Sequence, residues 1–445
     1  MPANTFQQRI ADEHRVIIIG GGFGGLYAAQ NLGSQKNIEV LLIDRRNFHL
    51  FQPLLYQVAT GGLSPGDIAS PLRAVLKRYQ NIRVLQAEVR NIDPGQQAVY
   101  IDDDCLYYDS LIIATGAHHH YFGNPQWETN APGLKTIEDA LEMRRRIFRA
   151  FEAAEKEQDP VKQSHLMTFV IVGAGPTGVE LAGALGELAH STLKHDFRHL
   201  DPEQAKIILI EGGNRILPTY EESLSKKAQR SLERLGVTVQ TNTFVTNIDD
   251  DIVTVKTADH TETIPTKTIL WAAGVQSSSL SSVLTEQTGV ESDSIGRVLV
   301  APDLSIPDYP DIFVIGDLAN FSHQTGKPLP GIAPVAMQQG RYVARLLKKR
   351  LRNKPTESFK YFDKGNLAVI GRNAAIADIG GFRLSGWFAW IIWVFVHIMY
   401  LVEFDNRVLV LFQWASNYLT RKRGARLITN EKSSKTEKVA VDEFS

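Results

Sequence analysis

Two glycine-rich turns in this sequence have the composition and spacing needed to bind phosphate groups. In the first, Gly20, Gly22 and Gly25 form a G-x-G-x-x-G pattern directly after the β-branched run 16–19. These glycines serve a tight turn, the approach of backbone to a pyrophosphate, and the packing of a helix against a strand. Asp44 ends the next apolar strand, 22 residues after Gly22, where a carboxylate can bind ribose hydroxyls. We therefore predict a dinucleotide site here.

A second copy of the pattern follows in the middle of the chain. The strand 168–172 leads into Gly173, Gly175 and Gly178, and the apolar run 207–210 ends at Glu211. Two dinucleotide folds in one chain predict two bound nucleotides, which a simple dehydrogenase does not need. This repeat is the strongest inference from the residues alone.

Further strand-and-turn units surround the two copies. The run 111–113 leads into Ala114-Thr115-Gly116, 269–271 leads into a similar small-residue turn, and 312–315 is followed by Gly316-Asp317. A charged helix is predicted over 136–156. The apolar stretch 51–62 is interrupted by proline and amides; we interpret it as a wall of the cofactor pocket, with a buried connection as the alternative.

Two other features admit simpler interpretations. Residues 82–89 and 98–106 are predicted to pair as strands across the Asp93-Pro94-Gly95 turn.

His118-His119-His120 could bind a metal, but adjacent histidines point in different directions and no acidic partner is evident. We therefore favour a loop there and predict no metal site.

The composition excludes several classes of protein. The chain has 445 residues, with 48 basic and 49 acidic side chains and a net charge of −1, so no overall field recruits nucleic acid. The single cysteine, Cys105, excludes an internal disulfide and a two-cysteine redox centre within one subunit. Residues 1–15 lack the apolar segment of a signal peptide, which predicts a cytoplasmic location.

The C-terminal part is aromatic and apolar. Leu384–Val402 contains 19 residues without a formal charge, close to the roughly 20 that cross a bilayer. Because Trp and Tyr concentrate at membrane interfaces, we favour an in-plane anchor over a span and over a buried dimer or core helix. The amphipathic run 408–419 precedes a basic stretch, Arg421–Arg426, suited to anionic headgroups. Residues 430–445 are polar and expected to be disordered.

With these motifs, the sequence resembles the two-dinucleotide-fold flavoprotein oxidoreductases, and more narrowly the type II NADH:quinone oxidoreductases, over about residues 15–350. The resemblance is carried by Gly20–Gly25, Phe51–Gln57, Ala114–Gly116, Gly173–Glu180, Gly316–Asp317 and Ala333–Gly340. The last segment is similar to the family's quinone-site pattern, Ala-Gln-x-Ala-x-Gln. Pro334 replaces the first glutamine and Gln338 keeps the second.

The resemblance implies that the first fold binds FAD and the second binds NADH. The implied FAD residues are Gly20, Gly22, Gly25, Asp44, Thr115, Gly116, Gly316 and Asp317, although Asp317 could instead cap the segment that follows it. The implied NADH residues are Gly173, Gly175, Gly178 and Glu211. A carboxylate at 211 accepts a hydrogen bond from a ribose 2′-OH and repels a 2′-phosphate, which favours NADH over NADPH.

Two residues are implied in the reaction itself. Glu180 matches an acid that the family places beside nicotinamide and flavin, although an ordinary first-turn acid would also suit the helix dipole. Gln338 is implied as a hydrogen-bond partner of a quinone carbonyl. The implied reaction passes a hydride from NADH to FAD and two electrons to a membrane quinone, without proton pumping.

We therefore predict an α/β fold with two Rossmann-like dinucleotide-binding domains of the glutathione-reductase type and a C-terminal membrane-associating helical segment. The predicted domains are 1–130 and 291–350 for FAD, 131–290 for NADH, and 351–445 for the membrane anchor and tail. The expected location is the cytoplasmic face of a membrane, peripheral or monotopic, with lipid contacts through Leu384–Val402 and Arg421–Arg426. A homodimer is left open. The alternatives are a soluble NADH-dependent ferredoxin or rubredoxin reductase and a redox-sensing, NADH-binding flavoprotein.

Overall fold

A computed structural model describes residues 13–102, 104–402, 404–420 and 423–428. The helices are α1 (Phe23–Leu32), α2 (Leu55–Ala59), α3 (Leu72–Leu76), α4 (Ile137–Lys156), α5 (Pro160–Leu166), α6 (Pro176–Glu187), α7 (Glu222–Arg234), α8 (Leu280–Thr288), α9 (Ala333–Arg350), α10 (Trp387–Tyr400) and α11 (Phe404–Thr420). The strands are β1 (His14–Ile19), β2 (Ile38–Asp44), β3 (Phe48–Leu50), β4 (Ala69–Pro71), β5 (Ile82–Gln86), β6 (Val89–Asp93), β7 (Ala98–Ile101), β8 (Asp104–Tyr107), β9 (Ser110–Ile113), β10 (Ala117–His119), β11 (Thr168–Val172), β12 (Lys206–Ile210), β13 (Val237–Gln240), β14 (Phe244–Ile248), β15 (Ile252–Lys256), β16 (Thr261–Pro265), β17 (Thr268–Trp271), β18 (Val275–Ser277), β19 (Val298–Leu299), β20 (Ser305–Ile306), β21 (Tyr309–Val314), β22 (Ala319–Asn320), β23 (Asn366–Gly371), β24 (Ala374–Ile379) and β25 (Phe382–Gly386).

The first nucleotide fold is a six-stranded sheet in the order β20-β21-β9-β1-β2-β5. All neighbouring strands are parallel except the edge pair β20 and β21. Its central strands are almost wholly buried runs of Val, Ile and Leu, as expected where helices cover both faces of a parallel sheet. The register aligns Ile19 with Ile43 and Ile113, and Val314 with Ile113. The loops that follow these four strands therefore leave the sheet at one edge.

The second nucleotide fold has four parallel strands in the order β13-β12-β11-β17. Val172 aligns with Ile210 on one side and with Trp271 on the other. The glycine turn after β11 and the acid after β12 consequently reach the same edge. The structure confirms the predicted pair of dinucleotide-binding folds, and a two-stranded ribbon of β10 and β18 joins them.

The strand pairing predicted around the 93–95 turn is partly wrong. β5 lies parallel to β2 in the large sheet, whereas the hairpin partner of β7 is β6. Between β5 and β6, the backbone N–H of Ala87 donates to the Asp44 carbonyl at 3.0 Å. The chain leaves the large sheet at this point, and β6, β7 and β8 form a separate antiparallel sheet.

The three adjacent histidines lie on and just after β10, and one of them has the acidic partner that the sequence did not reveal. His119 Nε2 lies 3.1 Å from Asp139 Oδ2, near the start of α4. Asp139 also accepts from the backbone N–H of Thr136, which caps α4. Within the described ranges, no group of three His, Cys, Asp or Glu side chains is arranged to hold a metal ion.

The apolar segment Leu384–Val402 is not one helix. Its first residues complete β25, and α10 occupies only Trp387–Tyr400. A 14-residue helix is about 21 Å long, shorter than the hydrocarbon core of about 30 Å. In the part of the chain that the structure describes, no helix combines the length and hydropathy required to span a membrane. The antiparallel sheet β23-β24-β25, which the sequence did not predict, supports α10.

Both C-terminal helices carry exposed apolar side chains. Phe388 and Phe395 are 70% and 65% exposed on α10, and Phe412 and Leu419 are 75% and 80% exposed on α11. We call the following set the C-terminal apolar face: Trp387, Phe388, Ile391, Phe395, Met399, Val408, Leu411, Phe412 and Leu419. Trp393, also on α10, is only 2% exposed and stacks on Trp414 of α11.

Two of the predicted headgroup-binding cations instead bind acidic groups of the protein itself. Arg423 Nη2 lies 3.3 Å from Glu187 Oε2, and Arg426 pairs with Asp196. Arg423 is largely buried, so the expectation that it faces anionic lipid is wrong. Arg421, Lys422 and the tail 430–445 lie outside the described residues.

Candidate active site

The first glycine turn leaves an open space at the N-terminus of α1. Gly20 has a φ of +102°, and a Cβ atom there would overlap the carbonyl of Ala114. A Cβ at Gly25 would overlap the Gly20 carbonyl, so this glycine permits close helix–strand packing. At Gly22, no atom lies within 4 Å of an added Cβ. The space beyond Gly22 suits an anion facing the free N–H groups of the helix.

The second turn repeats these three conditions at the N-terminus of α6. Gly173 has a φ of +97°, and a Cβ at Gly178 would overlap the Gly173 carbonyl. Gly175 again has no atom within 4 Å of an added Cβ. Pro176 begins the helix, where its missing N–H costs no hydrogen bond. Both turns therefore have the form of a phosphate-binding loop. We call Gly20–Gly25 the first cradle and Gly173–Gly178 the second cradle.

In each cradle, one backbone N–H group donates a hydrogen bond to a carboxylate. Asp44 Oδ2 accepts from the backbone N–H of Gly21 at 2.6 Å, and Glu211 Oε2 accepts from that of Ala174 at 2.8 Å. Burial raises the pKa of Asp44, while hydrogen bonds from Gly21 and Arg46 lower it. The predicted ribose-binding acids thus also position the phosphate loops.

His49 forms a hydrogen bond with the first cradle, and the sequence analysis did not identify this residue. Its Nδ1 lies 2.9 Å from the carbonyl of Gly21, and its side chain is buried beside the Phe23 ring. Burial lowers the pKa of His49 to about 4, so the ring is neutral and its Nδ1–H donates to the carbonyl. In the second cradle, the backbone N–H of Leu217 donates to the matching carbonyl of Ala174 at 2.8 Å. Only this symmetry between the two folds could have drawn attention to His49.

The loops after β9 and β21 meet the first cradle at the same sheet edge. Thr115 Oγ1 lies 2.5 Å from Ser278 Oγ, and an added Cβ at Gly116 would meet no atom within 4 Å. The backbone N–H of Gly316 donates to Gln339 Oε1 at 2.7 Å. Asp317 Oδ2 lies 3.7 Å from Lys135 Nζ. The edge therefore gathers all the FAD residues implied by the sequence.

Glu180 is not an ordinary first-turn acid. It is the fifth residue of α6, only 9% exposed, and the backbone N–H of Val369 on β23 lies 3.4 Å from its Oε1. Burial raises the pKa of Glu180 to about 8, and the Val369 hydrogen bond opposes this shift. A carboxyl group that is protonated near neutral pH is therefore enclosed between the second fold and the C-terminal sheet.

Gln338 and Gln339 are neighbours on α9 with different surroundings, the first partly exposed and the second buried. Both amide atoms of Gln338 bond the backbone of Phe362: its Nε2 donates at 2.9 Å and its Oε1 accepts at 3.0 Å. Gln339 is 1% exposed and positions Gly316, a role that the sequence did not indicate. Pro334 lies in the first turn of α9 and offers no backbone N–H.

The stretch 51–62 forms a short 3₁₀ turn and α2, which packs against α4 and α6. Tyr56 is 6% exposed there, and Gln57 Nε2 donates to its hydroxyl at 2.9 Å. Burial, then the nearby Glu180 carboxylate, raises the pKa of Tyr56. This segment therefore packs beside the helix that carries Glu180.

Comparison with known proteins agrees with this arrangement. Residues 14–340 match the pyridine nucleotide-disulphide oxidoreductase family, and residues 364–423 match the NDH2 C-terminal domain. The type II NADH:quinone oxidoreductase Ndh of Mycobacterium tuberculosis is 45% identical over 94% of this chain and 91% of its own length. The type II enzyme of Staphylococcus aureus is 30% identical over 84% of this chain and 92% of its own length. The chain belongs to the type II NADH:quinone oxidoreductase family.

Solved structures support the fold of this family member. NDH2 from Plasmodium falciparum in complex with NADH has a TM-score of 0.85 at 22% identity, covering 94% of this chain and all of the other. The sulfide:quinone oxidoreductase of Aquifex aeolicus has a TM-score of 0.72 at 19% identity, covering 92% and 95%. With Cys105 as its single cysteine, this family member has no dithiol within one subunit.

Proposed function

We propose that this chain is an FAD-dependent oxidoreductase that oxidises NADH and reduces a quinone at a membrane surface. The observation that carries the proposal is the pair of glycine cradles, each with an open position at Gly22 or Gly175 and a carboxylate behind it. Two such cradles suit two dinucleotides, and the family membership indicates which two.

The first fold would hold FAD through the residues predicted from the sequence, with Asp44 toward the ribose and the open position at Gly22 toward the pyrophosphate. The second would hold NADH through Gly173, Gly175, Gly178 and Glu211. This assignment retains the predicted domains: 1–130 and 291–350 for FAD, 131–290 for NADH and 351–445 for the anchor. FAD, when bound, accepts a hydride from NADH and passes two electrons to the quinone.

Glu180 would hold a proton for quinone reduction at this site. Quinone reduction to a quinol consumes two protons, and the pKa of Glu180, raised to about 8 by burial, lets its carboxyl group hold one at neutral pH. The β23 backbone excludes water on one side of this carboxyl group. Glu180 therefore acts as a proton store beside the redox centre.

Gln338 would bind a quinone carbonyl with the one N–H that remains. Its other N–H and its carbonyl oxygen already bond the backbone of Phe362. This pair of bonds orients the amide, so the free N–H has a defined direction. Pro334 replaces the first glutamine of the family pattern, which leaves Gln338 as the remaining glutamine of that pair.

The C-terminal apolar face would lie in the interface of the membrane, on its cytoplasmic side. An exposed apolar surface with several aromatic side chains is stabilised by insertion among lipid headgroups and upper acyl chains. A quinone dissolved in lipid can then reach the site without crossing water. A homodimer that buries the same face is the competing outcome, to be separated by measuring mass with and without vesicles.

Anaerobic titration of the purified chain tests the proposed activity. NADH should bleach the flavin absorbance, and a menaquinone or ubiquinone analogue should restore it. Recovery with ferredoxin or rubredoxin alone would favour the soluble-reductase alternative. Slow turnover with every quinone, together with NADH-dependent dimerisation, would favour the redox sensor.

A further inference from the structure

An exposed phenylalanine lies beside the predicted ribose-binding acid of the second fold. Phe244 begins β14, and its side chain is 61% exposed. A Cβ atom added to Gly212, the residue after Glu211, would lie 2.6 Å from Cε1 of the Phe244 ring. The ring therefore covers the backbone next to Glu211, in the place that a side chain at 212 would take.

Two backbone hydrogen bonds hold the segment before Phe244 against this loop. The N–H of Thr243 donates to the carbonyl of Glu211 at 3.0 Å, and the N–H of Asn242 donates to the carbonyl of Gly213 at 2.8 Å. These bonds flank the residue that the ring covers. The backbone of the second fold therefore sets the position of the ring relative to the carboxylate.

The strand order places Phe244 at one end of the proposed nucleotide. The second cradle follows β11, Glu211 follows β12, and the segment that leads to Phe244 follows β13. These strands are parallel neighbours whose last residues are aligned, so the three loops leave the sheet at one edge. Two strand spacings separate the first loop from the third, about 10 Å. With the pyrophosphate at the cradle and the ribose at Glu211, the base attached to that ribose extends toward Phe244.

The first fold has no aromatic side chain at the matching position. There, the N–H of Ala87 donates to the carbonyl of Asp44 at 3.0 Å, which repeats the bond made by Thr243. The residue after Ala87 is Glu88, whereas the residue after Thr243 is Phe244. The exposed ring is therefore a feature of the second fold and not a requirement of the backbone arrangement that the two folds share.

We propose that Phe244 is the surface on which the adenine of the nucleotide in the second fold stacks. This inference rests on the proposed function, in which that fold holds NADH. An exposed aromatic ring offers a purine a flat apolar surface that also excludes water from one face of the base. Phe244 contributes to nucleotide affinity and not to hydride transfer, because adenine and nicotinamide lie at opposite ends of NADH.

Calorimetric titration of the FAD-loaded full chain with ADP-ribose tests this contact without a redox step. ADP-ribose keeps the adenine, both riboses and the pyrophosphate but lacks nicotinamide. Phe244→Ala should weaken its binding by about 10- to 100-fold, the effect of losing one base–aromatic stack, and Phe244→Tyr should bind it like wild type. Phe382→Ala removes a ring that is 76% exposed on β25 and is the matched control, expected to bind ADP-ribose normally.

A kinetic comparison separates loss of the adenine contact from a general disturbance of the site. Phe244→Ala should raise KM for NADH by a similar factor with kcat unchanged, because the contact is the same in the ground state and the transition state. With reduced nicotinamide mononucleotide, which has no adenine, the kcat/KM of the variant should equal that of wild type.

Three results would overturn the inference: no binding of ADP-ribose to wild type, equal ADP-ribose affinities for Phe244→Ala and wild type, or equal losses with NADH and the mononucleotide. A wild type that binds ADP-ribose but oxidises no NADH would instead overturn the proposed function. The titration would still decide the role of Phe244.

Discussion

The backbone N–H of Gly21 donates to the carboxylate of Asp44 across 2.6 Å. These residues are far apart in sequence, and the parallel register of β1 and β2 brings them together. The second fold repeats the relationship with Ala174 and Glu211. In both folds, the acidic side chain at the end of the second strand therefore fixes the position of the glycine turn.

Asp44→Asn should weaken FAD binding by about 10- to 100-fold, because an amide cannot accept from both Gly21 and Arg46 as the carboxylate does. Titrating FAD into the apoprotein and following flavin fluorescence measures this effect. Asp250→Asn, at an exposed loop position, is the matched control and should bind FAD normally. Equal affinities for the two variants would contradict the role of Asp44.

Glu211→Gln should raise the ratio of kcat/KM for NADPH to that for NADH by about tenfold, because it removes the charge that repels a 2′-phosphate. The steady-state rates with each nucleotide give this ratio. The exposed variant Glu222→Gln should leave the ratio unchanged. An unaltered preference in Glu211→Gln would show that another group reads the ribose.

Gly22→Ala and Gly25→Ala should fail in different ways. A methyl at 22 enters open space, so the apoprotein should fold normally but bind FAD poorly, because the methyl occupies the position proposed for phosphate. A methyl at 25 overlaps the Gly20 carbonyl and should lower the free energy of unfolding by about 3 kcal/mol. Urea unfolding and FAD titration of both apoproteins check this contrast. Normal FAD binding by Gly22→Ala would argue against the cradle.

Glu180→Gln should flatten the pH dependence of stability above pH 4.5. The pKa of Glu180 rises from 4.5 to about 8 through burial, so the unfolded state releases its proton first. Wild-type stability should therefore fall between pH 4.5 and about 8, by at most about 5 kcal/mol. The neutral amide lacks this contribution, so the variant should be the more stable protein at pH 8. Thermal unfolding at pH 5 and pH 8 measures the difference, with Glu222→Gln as an exposed control.

Replacing Phe388 and Phe412 together by Ser should reduce binding to anionic lipid vesicles by at least about tenfold, because both side chains are largely exposed and apolar. Vesicle sedimentation measures the bound fraction. Phe244→Ser removes a ring that is 61% exposed on β14 and serves as the control, expected to bind like wild type. If the double variant stays bound while its dimer dissociates, the apolar face belongs to a second copy instead. These substitutions are preferable to deleting residues 384–445, which would also remove part of β25 and the Arg423–Glu187 pair.

The sequence by itself determined the two nucleotide folds and the family. Glycine spacing, β-branched runs and the acids that end strands are local patterns, and they impose turns, strands and helix starts wherever they occur. The strand 168–172 forms as predicted, and the helix predicted over 136–156 is observed as Ile137–Lys156. The aromatic C-terminal segment was also evident from its composition.

Only the tertiary structure decided which side chains meet. His49 reaches Gly21, Val369 covers Glu180, and Trp414 reaches Gln57 across 357 residues of sequence. In the structure, Arg423 pairs with Glu187 instead of facing lipid. The segment Leu384–Val402 belongs partly to a strand and partly to a helix. Such pairings depend on how separate elements pack and on which buried polar groups need partners. A local pattern contains neither kind of information.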